Sequence, residues 1–321
     1  MDIFVQLMDA FAQIPHVKDW DEIQSLFRRV SSGKPKHWLL PLRTYEASGG
    51  YETFAVPAMM AVACAHISII LVDDMLDSDP RGLHVEKGEG AVANMASALQ
   101  AAAVASVSNC DLDADKKLIA IDAVNEMFLA TSLGQYWDVN SVIGDEGSYW
   151  KIARAKSSPF FGSAFQVGGL MGDASLEAAA QLKDLGVIYG EMVQIHDDLD
   201  DTLAVPAKPD WNEGRAPLPI LFAREVKHPS RSRFVELLAR VREDATALEE
   251  AQQILIASGA VSYCIHQLLQ RYDLAQGIFS GILLERRDVL AGIFEGIMQP
   301  VFTLLQEVDL SREAPRVDMG E

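Results

Sequence analysis

Two short acidic runs carry the chemistry most plainly written in this chain: Asp73-Asp74-Met75-Leu76-Asp77 and Asp197-Asp198-Leu199-Asp200-Asp201. On a helix, residues four apart differ in direction by about 40°, so Asp73 and Asp77 share one face, as do Asp197 and Asp201. Each run follows apolar residues, Ser68-Ile69-Ile70-Leu71-Val72 before the first and Met192-Val193-Gln194-Ile195-His196 before the second. The carboxylates therefore stand at the end of a buried helix, where crowded anions are unfavourable unless cations compensate. Hard oxygen ligands one turn apart suit Mg²⁺, which keeps several waters and bridges protein carboxylates to substrate phosphates. One such run alone reads as a solvated acidic helix end; two, each closing an apolar run, point to a metal and diphosphate site with Asp73, Asp74, Asp77, Asp197, Asp198 and Asp201 as candidate ligands.

A diphosphate also needs cationic donors, and their positions are informative in a chain poor in them. Arg81 follows the first run, and Lys208 and Arg215 follow the second. Lys34 and Lys36 lie in the Gly33 loop, and Lys156 opens Lys156-Ser157-Ser158-Pro159-Phe160-Phe161-Gly162. Each alone reads as a surface charge; only the arrangement singles them out. No glycine-rich nucleotide loop, HExxH or serine or cysteine nucleophile motif competes.

The elements that position these residues read as helices throughout. Apolar residues recur at helical spacing, and no alternating run between turn signals reads as a strand. Breaks are expected at 31–35, 48–50, 78–90, 111–115, 144–148, 172–175 and 205–219. The expected architecture is a single large all-α domain over 1–321, with 311–321 a fraying tail. The Ala- and Ser-rich segment 91–107 fits either tight helix packing or a cavity wall. Helical rotation puts Ile69, Ala65 and Val62 in line below Asp73, as core or as pocket lining.

Of 321 residues, 49% are hydrophobic and 23% charged, enough for a sizeable core. A net charge of -19 would repel a phosphate backbone, so nucleic-acid binding is not expected. Three scattered cysteines give neither a disulfide framework nor a zinc site. The N-terminus lacks a basic region and cleavage site, so a cytoplasmic location is expected. The uncharged stretch 54–72 is nearly long enough to span a bilayer, but Pro57, His66 and Ser68 interrupt it and it runs into Asp73, so a buried core helix and no transmembrane segment are expected.

In order along the chain, these residues resemble the trans-isoprenyl diphosphate synthases of the polyprenyl synthetase family. The resemblance runs from about Gly33 to Pro219. His66 stands seven residues before Asp73, like the family's isopentenyl-site histidine. Gly134-Gln135-Tyr136-Trp137-Asp138 resembles the family's GQxxD helix, and Lys156-Ser157 a Lys-Thr pair that holds the allylic diphosphate. Gln194 to Asp198 resembles FQxxDD, and 210–219 resembles DLxEGKxTLP with Arg215 in place of Lys.

The resemblance implies an all-α helical bundle around a central apolar cavity and a Mg²⁺-dependent prenyltransferase with three metal ions when diphosphate is bound, acting as a homodimer. Its allylic diphosphate would be held by the aspartates with Lys156, Ser157, Gln194, Arg81, Lys208 and Arg215, and its isopentenyl diphosphate by Lys34, His37, His66 and Arg81. Departures cluster on the isopentenyl side. The arginine of GKxxRP is His37, the paired Arg-Arg-Gly is reduced to Arg81-Gly82, and a Gly-Asp pair is Ser97-Ala98. Where short-product members place aromatic rings, this chain has Ile69 and Ser68 with Ala65 a turn below, which implies a linear product of C20 or longer. The alternatives are a class I terpene synthase that cyclises or hydrolyses an allylic diphosphate without isopentenyl diphosphate, and a non-catalytic subunit of a heteromeric synthase.

Overall fold

The computed structural model describes residues 2–50, 55–141, 143–211 and 216–313. Within them the chain is helical, and no strand occurs among the described residues. In chain order the helices are α1 (Ile3–Phe11), α2 (Asp21–Ser32), α3 (Leu40–Ala47), α4 (Val56–Leu76), α5 (Leu83–Lys87), α6 (Glu89–Ser108), α7 (Ala114–Asn140) and α8 (Glu146–Lys156). They continue with α9 (Ser158–Met171), α10 (Leu176–Leu203), α11 (Leu218–Glu225), α12 (Arg231–Leu238), α13 (Ala245–Ala257), α14 (Ala260–Gly281) and α15 (Arg287–Glu313). Short 3₁₀ turns lie at Lys36–Leu39 and Pro209–Trp211.

Most breaks fall where turn residues foretell them, and the caps explain why. Asp145 accepts the Ser148 amide while Ser148 Oγ faces the Asp145 amide, a capping box that starts α8. Ser175 accepts the Ala178 amide and starts α10. The break expected over 78–90 is interrupted by α5. Connections between α1 and α2 and after residue 225 carry weaker turn signals and escape the sequence reading. Of the expected tail, α15 takes 311–313, and 314–321 lie outside the described residues, as do Phe54 and Arg215.

The long helices α4 and α10 run through the middle. α10 packs along α9, α4 along α6, and α9 is also covered by α3 and α7. α4 needs no amphipathic stripe because it is buried on nearly all sides: Ala58 to Ala65, Ile67, Ser68 and Leu71 are all enclosed. The small side chains of α6 serve tight packing: Ala96, Ala102 and Ala103 are buried, and Ser68 Oγ donates to the Ala96 carbonyl at 3.1 Å. A second, smaller apolar cluster joins α11, α12 and α13 around Phe234, Leu237 and Leu255. α11 contributes to both, with Leu218 and Leu221 in the main core and Ile220 and Ala223 in the second.

Three helices are long and apolar enough to cross a membrane: α4, α6 and α15 over 287–306. Only the first stands out in the sequence as an uncharged stretch, and the structure packs that helix inside the protein. An apolar cavity of about 260 Å³ lies at the N-terminal end of α4, walled by Ile14, Pro57, Met60 and Ala105.

Candidate active site

Both acidic motifs sit at helix C-termini. Asp73 and Asp74 occupy the last turn of α4 and Asp77 caps it, while Asp197, Asp198 and Asp201 lie in the final turns of α10. The negative end of each helix dipole adds to the repulsion among these carboxylates. Burial, then Asp198, Asp201 and Asp200 beside it, pushes the Asp197 carboxyl up to about 6. Asp74 is also raised, by burial first and then by Asp79 and Asp73. Such a donor set fits a divalent cation, which would relieve that repulsion. Among the described residues no three His, Cys, Asp or Glu side chains are grouped so as to hold a metal ion by themselves, so an ion here would take its other ligands from water or phosphate.

Lys156, at the end of α8, reaches the first motif: its Nζ is 3.1 Å from Asp73 Oδ1 and 2.7 Å from Asp138 Oδ2. Burial works against its charge, but Asp73 and Asp138 outweigh it and the Lys156 pKa is raised. The close approach of α8 to α7 depends on Gly134, where a Cβ would collide with the backbone of Ala155 and Lys156. One residue on, Gln135 Nε2 donates to Asp73 Oδ1 at 3.3 Å and to the Ile69 carbonyl at 3.2 Å. The GQxxD segment therefore places three groups: a gap for α8, a donor to Asp73 and a second counter-ion for Lys156.

The second motif is held by a parallel set of contacts. Ser157 Oγ donates to Gln194 Oε1 at 2.7 Å, and Gln194 Nε2 donates to Asp198 Oδ1 at 2.8 Å. Asp198 Oδ2 also accepts the Tyr149 hydroxyl at 2.6 Å and the Leu218 amide at 2.7 Å. Asp198 is thus a buried anchor joining α8, α10 and α11, whereas its neighbour Asp197 makes no such set of contacts. Beside Lys156 and Asp198 opens a cavity of about 110 Å³, lined also by Asp138, Tyr149, Gln194 and Pro217. Lys156 and Ser157, adjacent in sequence, carry the connection from Asp73 across to Asp198.

Other expected residues are placed differently. Arg81 is 86% exposed and turns back on Asp79, with Nε and Nη2 donating to its two oxygens at 3.1 and 2.7 Å. Lys208 Nζ lies 3.9 Å from Asp201 Oδ1. Lys34 is exposed and paired with Asp2 at 2.6 Å. His37 and His66 pack edge to face, ring centroids 4.1 Å apart, and Phe160 closes on both at 5.8 and 5.9 Å. Trp38 Nε1 donates to His66 Nδ1 at 3.1 Å. Burial pushes His37 down to about 4, and burial with His37 beside it pushes His66 down to about 3. Ala65 and Ser68 are fully buried, with Ser68 turned to α6, and Ile69 is half-buried.

Sequence reasoning did not single out Tyr149, the clasp between α8 and Asp198. No local signal marks it: it reads as one more apolar position of α8. Nor did it pair Arg81 with Asp79. The pairing of Glu191 on α10, which accepts from Arg154 at 2.7 Å and from Arg271 at 3.0 Å, also carries no sequence signature.

Comparison with known proteins gives a consistent picture. The family model described as polyprenyl synthetase matches residues 23–255. The chain is 26% identical over 278 residues to geranylfarnesyl diphosphate synthase of Aeropyrum pernix, covering 80% of this chain and 86% of that protein. The fold is similar to that of geranylgeranyl pyrophosphate synthetase from Pyrococcus horikoshii, with TM-score 0.78 and 19% identity over 92% of this chain and 97% of that one. It is also similar to geranylgeranyl pyrophosphate synthase from Corynebacterium glutamicum complexed with calcium and isoprenyl diphosphate, with TM-score 0.77 and 18% identity over 94% and 95% of the two chains.

Proposed function

The chain belongs to the polyprenyl synthetase family, and from that membership we propose that it is a Mg²⁺-dependent prenyltransferase-type enzyme that ionises an allylic diphosphate between its two aspartate motifs. The observation that carries this reading is the adjacent pair Lys156 and Ser157: Lys156 Nζ lies 3.1 Å from Asp73, and Ser157 is linked through Gln194 to Asp198, so one short segment touches both motifs. Mg²⁺ held by Asp73, Asp77, Asp197 and Asp201 would supply the charge that neutralises the departing diphosphate. Lys156 adds a fixed positive charge at the same place, already desolvated and oriented before substrate arrives. Asp138 and Gln135 hold that arrangement, and Tyr149 with Leu218 fixes the end of α10 through Asp198. The hydrocarbon chain would lie along α4 past Ile69 and against Phe160, where apolar walls keep water from the allylic cation.

Members of the family act on allylic diphosphates and isopentenyl diphosphate, and similar proteins are named as C20 and C25 synthases. These names support a prenyl chain of C20 or longer. Condensation with isopentenyl diphosphate would further require a second anion site on the acceptor side. The resemblance also supports a homodimer. Leu118, Leu129, Leu133 and Tyr136 are exposed on α7 at spacings that align on one face, an apolar stripe suited to a second copy.

The test is release of pyrophosphate from C10, C15 and C20 allylic diphosphates. Release that requires Mg²⁺ and stops on chelation supports the reading. No release from any of them, with or without isopentenyl diphosphate, contradicts it.

A further inference from the structure

Helix α14 lies wholly beyond residue 255, outside the segment the family model matches, yet it grips the helix that carries Lys156. Glu146, Trp150 and Arg154 follow one another on α8 at intervals of four residues, and Tyr263, Gln267 and Arg271 do so on α14. Four-residue steps keep each triplet on one helix face, about one turn apart. The two faces meet in the same order along both helices. Glu146 Oε1 accepts the Tyr263 hydroxyl at 2.5 Å and the Trp150 indole N–H at 2.9 Å. Gln267 Nε2 donates to the Tyr263 hydroxyl oxygen at 2.9 Å. Arg271 Nη1 donates to Gln267 Oε1, and its guanidinium carbon lies 4.0 Å from the Trp150 ring centroid. The last rung runs through α10, where Glu191 takes Arg154 on one oxygen at 2.7 Å and Arg271 on the other at 3.0 Å.

The centre of this ladder is out of water: Arg271, Glu191 and Gln267 are 7%, 8% and 9% exposed. A buried ion pair repays little beyond the cost of dehydrating both charges, and what it supplies best is a fixed register. Arginine suits the place because a flat guanidinium stacks on Trp150 while donating sideways to Glu191 and Gln267. The register governs the far end of α8. Lys156 stands two residues past Arg154, about 3 Å further along the axis. Lys156 and Ser157 are the groups that meet Asp73 and, through Gln194, Asp198. On its other flank α8 packs along α7, where Gly134 allows the close approach. α8 is thus set between a backbone contact on one side and a side-chain ladder on the other.

We propose that Arg271 is a positioning residue for the ionisation step: by clamping Trp150 and Glu191 it sets the reach and rotation with which α8 presents Lys156 and Ser157 to the two aspartate motifs. The inference rests on the role given to Lys156 above. Replacing Arg271 with methionine keeps a long apolar stem against Trp150 and leaves Glu191 paired with Arg154, so no buried charge is stranded and the fold is retained. The clamp itself is lost. A slack α8 lets Lys156 swing away from Asp73, and a misplacement of about 1 Å at a reacting site costs up to about 10²-fold in rate.

Two measurements on the full chain test this. The first is pyrophosphate release with Mg²⁺ from the best substrate among C10, C15 and C20 allylic diphosphates. Arg271→Met should lower kcat by about 10-fold or more while KM changes less than about threefold. On a Lys156→Met background the same substitution should cost less than about threefold further, because the group it positions is gone. An equal loss in both backgrounds would show that Arg271 acts on the fold at large and would overturn the inference, as would an unchanged kcat. The second measurement, backbone hydrogen exchange, needs no turnover. Amides of 152–157 should exchange about 10-fold faster or more in Arg271→Met while those of 67–71 in α4 keep their protection, and unchanged exchange at 152–157 would overturn the inference. If the wild type releases no pyrophosphate, the ionisation reading falls and exchange alone decides whether Arg271 holds α8. Should Arg271→Met fail to fold, Tyr263→Phe, which removes one hydroxyl from the first rung, is read in the same way, with a loss of about threefold on the wild-type background and under about 1.5-fold on Lys156→Met.

Discussion

Lys156 Nζ stands 3.1 Å from Asp73 Oδ1, so the first aspartate motif meets a cation of its own chain before any substrate arrives. The contact is partly buried, and Asp138 at 2.7 Å shares it. Replacing Lys156 with Met should lower kcat on the order of 10²-fold, the scale of removing one preorganised electrostatic group. Lys156→Arg should recover part of that loss because charge returns in a different shape. Steady-state kinetics on folded variants decide it: a Met variant with near-normal kcat would remove Lys156 from the site.

Product or substrate length should be set along α4, and the structure separates the two positions that sequence spacing treats alike. Ser68 is fully buried with its hydroxyl on the Ala96 carbonyl, so Ser68→Phe would force α4 from α6 and cost about 1–3 kcal/mol. Ile69 is only half-buried and lies one turn below Asp73. Ile69→Phe should therefore keep the fold and shift the preferred chain down by about one isoprene unit, since each helical turn spans about 5.4 Å. Chromatography of products or a substrate series on this variant checks the expectation, and an unchanged length would place the floor elsewhere.

Much of this site is legible in the sequence. The two aspartate motifs, Lys156, Ser157 and Gln194 converge because each lies at or near a helix terminus that its own cap and apolar run define. Side chains whose partners come from distant segments are not legible. Asp198 reads as a metal ligand in a run of aspartates, and the three donors from α8, α10 and α11 that hold it are not visible there. Arg81 reads as a phosphate ligand, but its two-point contact with Asp79 carries no sequence signal. His37 marks a departure from the family's pattern, but only packing shows that His66 and Phe160 enclose it. The all-α fold itself is readable, whereas connections after residue 225 are not: 239–244 and 282–286 contain neither glycine nor proline, and Pro229 and Gly259 each stand alone in the other two.

Assembly should depend on the apolar face of α7. Leu129 is 75% exposed and aligns with Leu133 and Tyr136. Light scattering of the wild type should give a dimer, and Leu129→Glu with Leu133→Glu should give a monomer with the helical spectrum retained. A wild-type monomer of about 35 kDa would count against the homodimer and leave the active-site reading standing.

The neutral histidine pair should appear in the pH dependence of stability. His37 and His66 have folded values of about 4 and 3, below the unfolded value of about 6.5. Between those limits the unfolded chain binds protons that the folded chain refuses, so their contribution falls as pH drops from about 6.5 towards 4. The urea midpoint of wild type relative to His37→Leu should therefore decline from pH 7.5 to pH 5. A difference that stays flat would mean His37 is not held neutral in the fold.

The central claim, that both aspartate motifs act on one diphosphate, is tested most directly by pyrophosphate release from a C20 allylic diphosphate with Mg²⁺ for the wild type, Asp73→Ala and Asp197→Ala. Each variant should keep its far-ultraviolet helical signal and lose activity by about 10²-fold or more, because each removes a carboxylate from a site that works through charge. Near-normal release by either folded variant would contradict the assignment.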